Sequence, residues 1–144
     1  MPIVTPRFPS DKLQKYPHMF QEDIAIWERF LDGFAGNYNG FDYDVKVGTS
    51  TPSPVNTPPK YVHMTGTLSK YRIDVVGYKD SQIEIIEVKP AGSLSAIGQI
   101  QGYVELYKRD FSPSLPVKGV LVTDWYIEDI DHLTNELGFD YYVL

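Results

Sequence analysis

Two apolar runs separated by a short polar segment constrain this chain more than any other feature of its sequence. Both runs lie within residues 71–89 and are rich in Val and Ile, and the polar cluster 79–82 between them is typical of an antiparallel hairpin. Apolar residues occupy both faces of each run, as expected of strands in the interior of a sheet. The sequence therefore predicts a buried hairpin around which the rest of the fold is arranged.

Three charged residues interrupt this hairpin at positions that its register brings together. With the turn centred between residues 80 and 81, Asp74 on the first strand lies directly opposite Glu87 on the second. Opposed residues have Cβ atoms about 4.5–5.5 Å apart on the same face of the sheet. Lys89, two residues further along, shares that face. We therefore expect two carboxylates and one amine to form a cluster.

Burial makes this cluster costly unless something neutralises it. Two like charges at this distance repel each other, and removing them from water adds several kcal/mol per ion. Lys89 supplies only one positive charge, so Asp74 and Glu87 need a further cation or a proton. The alternative interpretation is a structural Asp–Glu–Lys cluster at a strand end with a solvated rim.

The same residues carry a family resemblance. Asp74, then the segment Glu87–Lys89 on the next strand, then Gln99 and Tyr103 on a following helix, resemble the motif of the PD-(D/E)XK nuclease superfamily, which includes restriction-type enzymes and archaeal Holliday-junction resolvases. The residue before Asp74 is Ile73, where the superfamily name has Pro. The resemblance covers about residues 74–103 and implies a restriction-endonuclease-like core.

The resemblance also implies a chemistry for each residue. Asp74, Glu87 and the main-chain carbonyl of Val88 would bind Mg²⁺ or Mn²⁺, Lys89 would orient the attacking water or neutralise developing charge, and Gln99 would position the water or the strand. The implied function is a magnesium-dependent deoxyribonuclease, with internal cleavage favoured over cleavage from an end. A catalytically inactive nucleic-acid-binding or assembly subunit with the same fold is the alternative.

Secondary candidates flank this set. Glu28 and Asp23 lie on opposite sides of the apolar stripe of the first predicted helix, so either acid can reach the edge of the sheet. Gln101 is the alternative to Gln99, because a helical wheel places it nearer the apolar stripe. Tyr103 shares a helix face with Gln99 at i, i+4.

Global composition limits the remaining possibilities. The chain has 144 residues, 42% of them hydrophobic, and no cysteine, which fits one globular domain and excludes disulfides and thiolate metal sites. No segment approaches the length of a membrane span, and the start lacks a signal peptide, so we expect no membrane contact and a cytoplasmic protein. The net charge of −6 arises mostly from six acids in residues 119–144, so DNA binding is permitted but not indicated by charge.

Further chemistry and partners receive little support from the sequence. The three histidines lack ligand spacing, and there is no phosphate-binding loop or nucleophile elbow. Tyr141 and Tyr142 fit either packing or contact between two copies of the chain. A plain interaction domain whose acidic C-terminal segment contacts a basic partner is a third hypothesis.

The predicted fold is α/β, a mixed central sheet flanked by helices, in the order αβββαβ followed by a C-terminal helix and strand. The strand 41–47 alternates with its apolar residues on one face and is predicted at the outside of the sheet. Segment by segment, we expect an extended N-terminal arm (1–17) and a single domain (18–144) containing a first helix (18–34), a proline-rich loop (48–59), strands at 61–64, 68–78 and near 83–89, a helix from 93 or 95 to 109, a strand (117–123), a helix (128–137) and a final strand (139–144).

Overall fold

The computed structural model of the protein describes residues 6–49 and 71–144. Predicted features in residues 1–5 and 50–70, which include most of the proline-rich loop and the strand at 61–64, lie outside the described residues. The helices and strands follow the predicted order: α1 (Gln21–Phe34), β1 (Gly40–Val47), β2 (Tyr71–Tyr78), β3 (Ile83–Lys89), α2 (Leu94–Phe111), β4 (Val117–Thr123), α3 (Glu128–Leu137) and β5 (Asp140–Val143), with a single 3₁₀ turn (Ala35–Asn37) between α1 and β1.

The five strands form one sheet in the order β1-β2-β3-β4-β5. β1 with β2 and β2 with β3 are antiparallel, whereas β3 with β4 and β4 with β5 are parallel. The parallel pairs arise because α2 and α3 carry the chain back to the same end of the sheet before each new strand. The predicted mixed α/β sheet flanked by helices is confirmed, and β1 lies at its edge as predicted.

Two apolar layers enclose the sheet. α1 covers one face through Trp27 and Phe30, which pack against Val75 and Ile86 of the central strands. α2 and α3 cover the other face, where the buried residues include Ile73, Val76, Ile85, Ile97, Ile100, Val104, Leu121 and Ile130. Because β2 and β3 lie between the two layers, a charged side chain on either strand is removed from water. The hairpin therefore lies in the interior, as its composition predicts.

The apolar residues of β1 do not share one face, in contrast to the simple alternation expected from the sequence. Phe41 and Tyr43 pack in the layer beneath α1, whereas Val47 packs in the layer beneath α2, with Val45 against it. The change occurs at Asp44, which has a left-handed backbone conformation with φ of 53°. A left-handed residue rotates the strand about its own axis, so the following side chains emerge on the opposite face. Periodicity alone could not show this rotation.

Residues 6–17 contain no helix, but they are tied to the domain rather than projecting from it. Phe8 and Phe41 exchange backbone hydrogen bonds of 3.0 Å, and Arg7 N–H donates to Asp42 at 2.7 Å. Tyr16 is 4% exposed and packs on Tyr43. α1 itself begins at Gln21, three residues later than predicted. Within the described residues, no helix combines the length and apolar composition that crossing a bilayer requires.

Candidate active site

The register of the β2–β3 hairpin is the one expected from its turn. Val75 pairs with Ile86, and the ladder continues to the turn through Tyr78 and Ile83. Continued one step outward, this register sets Asp74 opposite Glu87. The prediction of the register is confirmed.

The two strands separate at that step. The β2–β3 ladder ends at the pair Val75–Ile86, although β2 remains paired with β1 as far as Tyr71 and β3 remains paired with β4 as far as Lys89. The sheet therefore forks between its two central strands, with Asp74 and Glu87 at the mouth of the fork.

Side-chain hydrogen bonds replace the ladder inside the fork. The N–H of Val88 donates to Asp74 Oδ2 at 3.1 Å, and the N–H of Asp74 donates to Glu87 Oε1 at 3.4 Å. Glu87 is only 2% exposed and Asp74 is half-buried. Each carboxylate is thus anchored to the opposite strand, which fixes the pair in space before any ligand binds.

Burial shifts the protonation of both acids. It raises the pKa of the Glu87 carboxyl to about 9, and the charge of Asp74 contributes to the rise. Burial also raises the pKa of Asp74, although the N–H of Val88 and a hydrogen bond from Glu87 work in the opposite direction. Near neutral pH the protonated Glu87 therefore donates a hydrogen bond to the Asp74 carboxylate. A proton between the two carboxyl groups occupies the place that a cation would take.

Lys89 supplies the nearest positive charge. Its ammonium group lowers the pKa of both Asp74 and Glu87. No carboxylate of the described residues lies within the 4.0 Å of an ion pair with it. The amine is therefore close enough to act on the pair electrostatically, and it remains available for an anionic ligand.

α1 contributes an acid to the same end of the sheet, and it is Asp23 rather than Glu28. The pKa of Asp23 is raised by burial and lowered by the charge of Lys89, and the charge of Asp23 in turn raises the pKa of Asp74. Glu28 accepts a hydrogen bond of 3.4 Å from the hydroxyl of Tyr16, so the structure does not bring it to the pair. The sequence placed both acids at equal distances from the apolar stripe, and only the tilt of the helix on the sheet separates them.

α2 places Gln99 and Tyr103 towards the pair. Tyr103 is half-buried, and its pKa is raised to about 12 by burial and by the charges of Glu87 and Asp74. The amide oxygen of Gln99 is buried and has no hydrogen-bond partner among the described residues. Gln101 is exposed and lies beside Leu137 and Phe139 near α3. The structure therefore supports Gln99 over its alternative.

The donors at the fork suit a hard divalent cation. Two carboxylates fixed side by side offer oxygen ligands of the kind that Mg²⁺ and Mn²⁺ prefer, and a shared proton shows that the pair requires positive charge. Within residues 6–49 and 71–144, no cluster of three or more acidic, His or Cys side chains has metal-binding geometry. Any further ligands would come from the Val88 carbonyl, from water or from a substrate.

Comparison with known proteins gives the family. The model of the endonuclease NucS C-terminal domain matches residues 60–144, which include the hairpin, α2 and the C-terminal strands. A crystal structure of a repair endonuclease from Pyrococcus abyssi aligns with 92% of this chain at 18% sequence identity and a TM-score of 0.46. The chain spans 49% of the length of that protein. No curated protein matches the sequence. On the family match, the chain belongs to the endonuclease NucS C-terminal domain family.

Proposed function

We propose that this chain hydrolyses phosphodiester bonds in DNA with a divalent metal ion, Mg²⁺ or Mn²⁺, held at the fork between β2 and β3. The observation that carries the proposal is the pair Asp74 and Glu87, two buried carboxylates locked opposite each other in a member of an endonuclease domain family. We further propose that this pair, with Lys89, is a site of the PD-(D/E)XK type and that it cleaves DNA internally.

Each side chain has a distinct role in this proposal. Asp74, Glu87 and the carbonyl of Val88 hold the metal ion, which polarises the scissile phosphate and lowers the pKa of the attacking water. Lys89, which has no ion-pair partner in the described part of the chain, neutralises charge that develops on the phosphate. Gln99 positions the water or the nucleic-acid strand.

Charge is compatible with this role despite the overall value of −6. The acids of α3 lie on the face opposite α1, and the first 118 residues carry as many positive as negative side chains. A metal ion at the fork would offset the two central carboxylates, so an approaching phosphate would meet Lys89 rather than uncompensated negative charge.

The test is a cleavage assay with the purified chain. Labelled single-stranded, duplex and four-way-junction DNA, linear and circular, are incubated with Mg²⁺, with Mn²⁺ or with EDTA. We expect cleavage that needs the metal, with circular DNA cut, and its loss in Asp74→Asn and in Lys89→Ala. Lys89→Ala should leave metal binding intact or tighter, because it removes a competing cation.

Two outcomes would contradict the proposal. Wild-type protein that cleaves none of these substrates with either metal would favour the inactive binding or assembly subunit. Cleavage that survives unchanged in both variants would show that other residues carry the activity. RNA substrates in the same panel decide whether DNA is the preferred nucleic acid.

A further inference from the structure

A cavity of about 380 Å³ opens beside the carboxylate pair, between the start of β2 and the exposed side of α2. Its lining combines two aromatic rings, two glycines, an amide and a leucine: Tyr71, Tyr103, Gly98, Gly102, Gln99 and Leu106. The cavity adjoins the fork, because Tyr71 lies three residues before Asp74 on β2 and Tyr103 experiences the charge of both acids.

The two glycines have no structural explanation in the fold. Gly98 and Gly102 lie in the interior of α2, where each costs about 1 kcal/mol relative to Ala. Both are exposed, and a Cβ at either position would meet nothing within 4 Å. By contrast, Gly119 of β4 is required by packing, since a Cβ there would lie 2.4 Å from Ile100. The helix glycines therefore leave open space on the cavity floor, not room for the sheet.

Gln99 gives an independent indication of a ligand. Its amide oxygen is buried and accepts no hydrogen bond from the described residues, an arrangement that is unfavourable in the free protein. A ligand in the adjoining cavity that carries an N–H group would supply the missing donor.

The lining selects the chemistry of that ligand. It contains no charged side chain, so it offers no counter-charge for a phosphate. The rings of Tyr71 and Tyr103 lie 6.3 Å apart between centroids, and Tyr71 is 57% exposed, so its ring is accessible to a flat partner. Every nucleobase has an aromatic face for stacking and an N–H donor on its edge.

We propose that this cavity binds one unpaired nucleobase of the substrate strand, next to the phosphate at the fork, with Gln99 accepting a hydrogen bond from the base edge. The assignment rests on the proposed function, because it places the base of a nucleic acid beside the site that cleaves it. The substrate would then be a strand with at least one base out of the double helix at the position of the cut.

Binding can be measured without cleavage in an Asp74→Asn/Glu87→Gln background, which removes the negative charge that repels a strand in the absence of metal. The probes are a fluorescent single-stranded oligonucleotide and the same oligonucleotide with abasic central positions. We expect the base-bearing strand to bind about tenfold more tightly than the abasic strand, in line with the stacking of one base on an aromatic ring.

Alanine at the cavity floor separates function from stability. Gly98→Ala and Gly102→Ala should each raise Tm by about 2–6 °C, because both add helix propensity in open space. The same variants should abolish most of the preference for the base-bearing strand. Gly33→Ala in α1 is the matched control, since its Cβ also meets nothing within 4 Å, and it should leave the preference unchanged.

Equal affinity of the background protein for the two strands, including no binding to either, would overturn the base site. Equal weakening of both strands by Gly98→Ala or Gly102→Ala would show that the cavity holds the sugar-phosphate backbone instead, and an unchanged preference would show that the cavity is not used. None of these results depends on turnover. Failure of the nuclease assay and failure of the base site are therefore distinguishable.

Discussion

Glu84 and Glu87 lie three residues apart on β3, and the protein neutralises them in opposite ways. Glu84 is fully buried, yet its carboxylate accepts hydrogen bonds from Tyr38 and Gln82 and pairs with Lys79 at 2.9 Å. Lys79 also lies 4.7 Å above the ring of Tyr38. Glu84 is thus a buried charge with a complete set of protein partners.

Glu87 has nearly the same burial and far fewer partners. Its carboxyl group meets the N–H of Asp74 at 3.4 Å and the carboxyl of Asp74, and the nearest cation, Lys89, acts on it only at longer range. The difference teaches that burial of an acid does not by itself indicate a function. What distinguishes Glu87 is that its compensation must come from a proton or from a bound cation.

Activity should separate the two glutamates by the largest factor. Glu87→Gln removes a metal ligand and should lower the cleavage rate by at least about 100-fold, whereas Glu84→Gln should change it by less than about threefold. Initial rates with Mg²⁺ on the best substrate of the panel provide the measurement. Equal losses in the two variants would remove the distinction drawn between the two acids.

Metal binding should separate them next. If Mg²⁺ or Mn²⁺ binds the folded protein at the fork, a concentration of 100 Kd should raise the free energy of unfolding by about 2.7 kcal/mol in the wild type. Thermal unfolding with and without metal measures the increment. The increment should persist in Glu84→Gln and disappear in Glu87→Gln; a metal-induced rise that is the same in all three proteins would place the cation elsewhere.

Stability should reverse the order of the two glutamates. Glu84→Gln breaks the buried ion pair with Lys79 and should lower the free energy of unfolding by about 2 kcal/mol. Glu87→Gln relieves the repulsion from Asp74 and should leave the metal-free protein as stable as the wild type or more so. Urea unfolding in EDTA compares the variants, and a marked destabilisation by Glu87→Gln would mean that the pair at the fork is structural.

The pH dependence of metal-free stability gives the smallest effect. The pKa of Glu87 is about 9 in the folded protein against 4.5 for an ordinary Glu, so between these values the folded state holds a proton that the unfolded state has lost. Stability should therefore fall as pH rises through this window, by about 1 kcal/mol per pH unit. Urea unfolding in EDTA at pH 6 and 7 measures the slope. Glu87→Gln should be flatter than the wild type, and equal slopes would contradict the raised pKa.

The hairpin and its acidic pair could be predicted from the sequence because the interactions that specify them are local. The turn fixes which residues of β2 and β3 oppose each other, and a side-chain period of two fixes which residues share a face. Glu84 opposes Gly77 in the same register, so the sequence also shows that Asp74 is the acid that meets a second acid. The bounds of β4 and α3 agree with prediction for the same local reasons.

Features that depend on distant contacts could not be predicted. Tyr38, which satisfies Glu84, comes from a segment 46 residues away, and nothing in the hairpin indicates it. The choice of Asp23 over Glu28 depends on how α1 lies across the sheet, because a helical wheel gives both acids the same access. The rotation of β1 at Asp44 has no signal in an alternating pattern.

The sequence by itself therefore determined the order of the elements, the register of the hairpin and the presence of two opposed carboxylates with an amine beside them. Only the tertiary structure decided that the strands part at that pair, that one glutamate is satisfied and the other is not, and that an open cavity floored by Gly98 and Gly102 adjoins the fork. The physical reason is that pairing and periodicity act between near neighbours in the chain. Burial, desolvation and the supply of hydrogen-bond donors are properties of everything that surrounds a residue once the chain has folded.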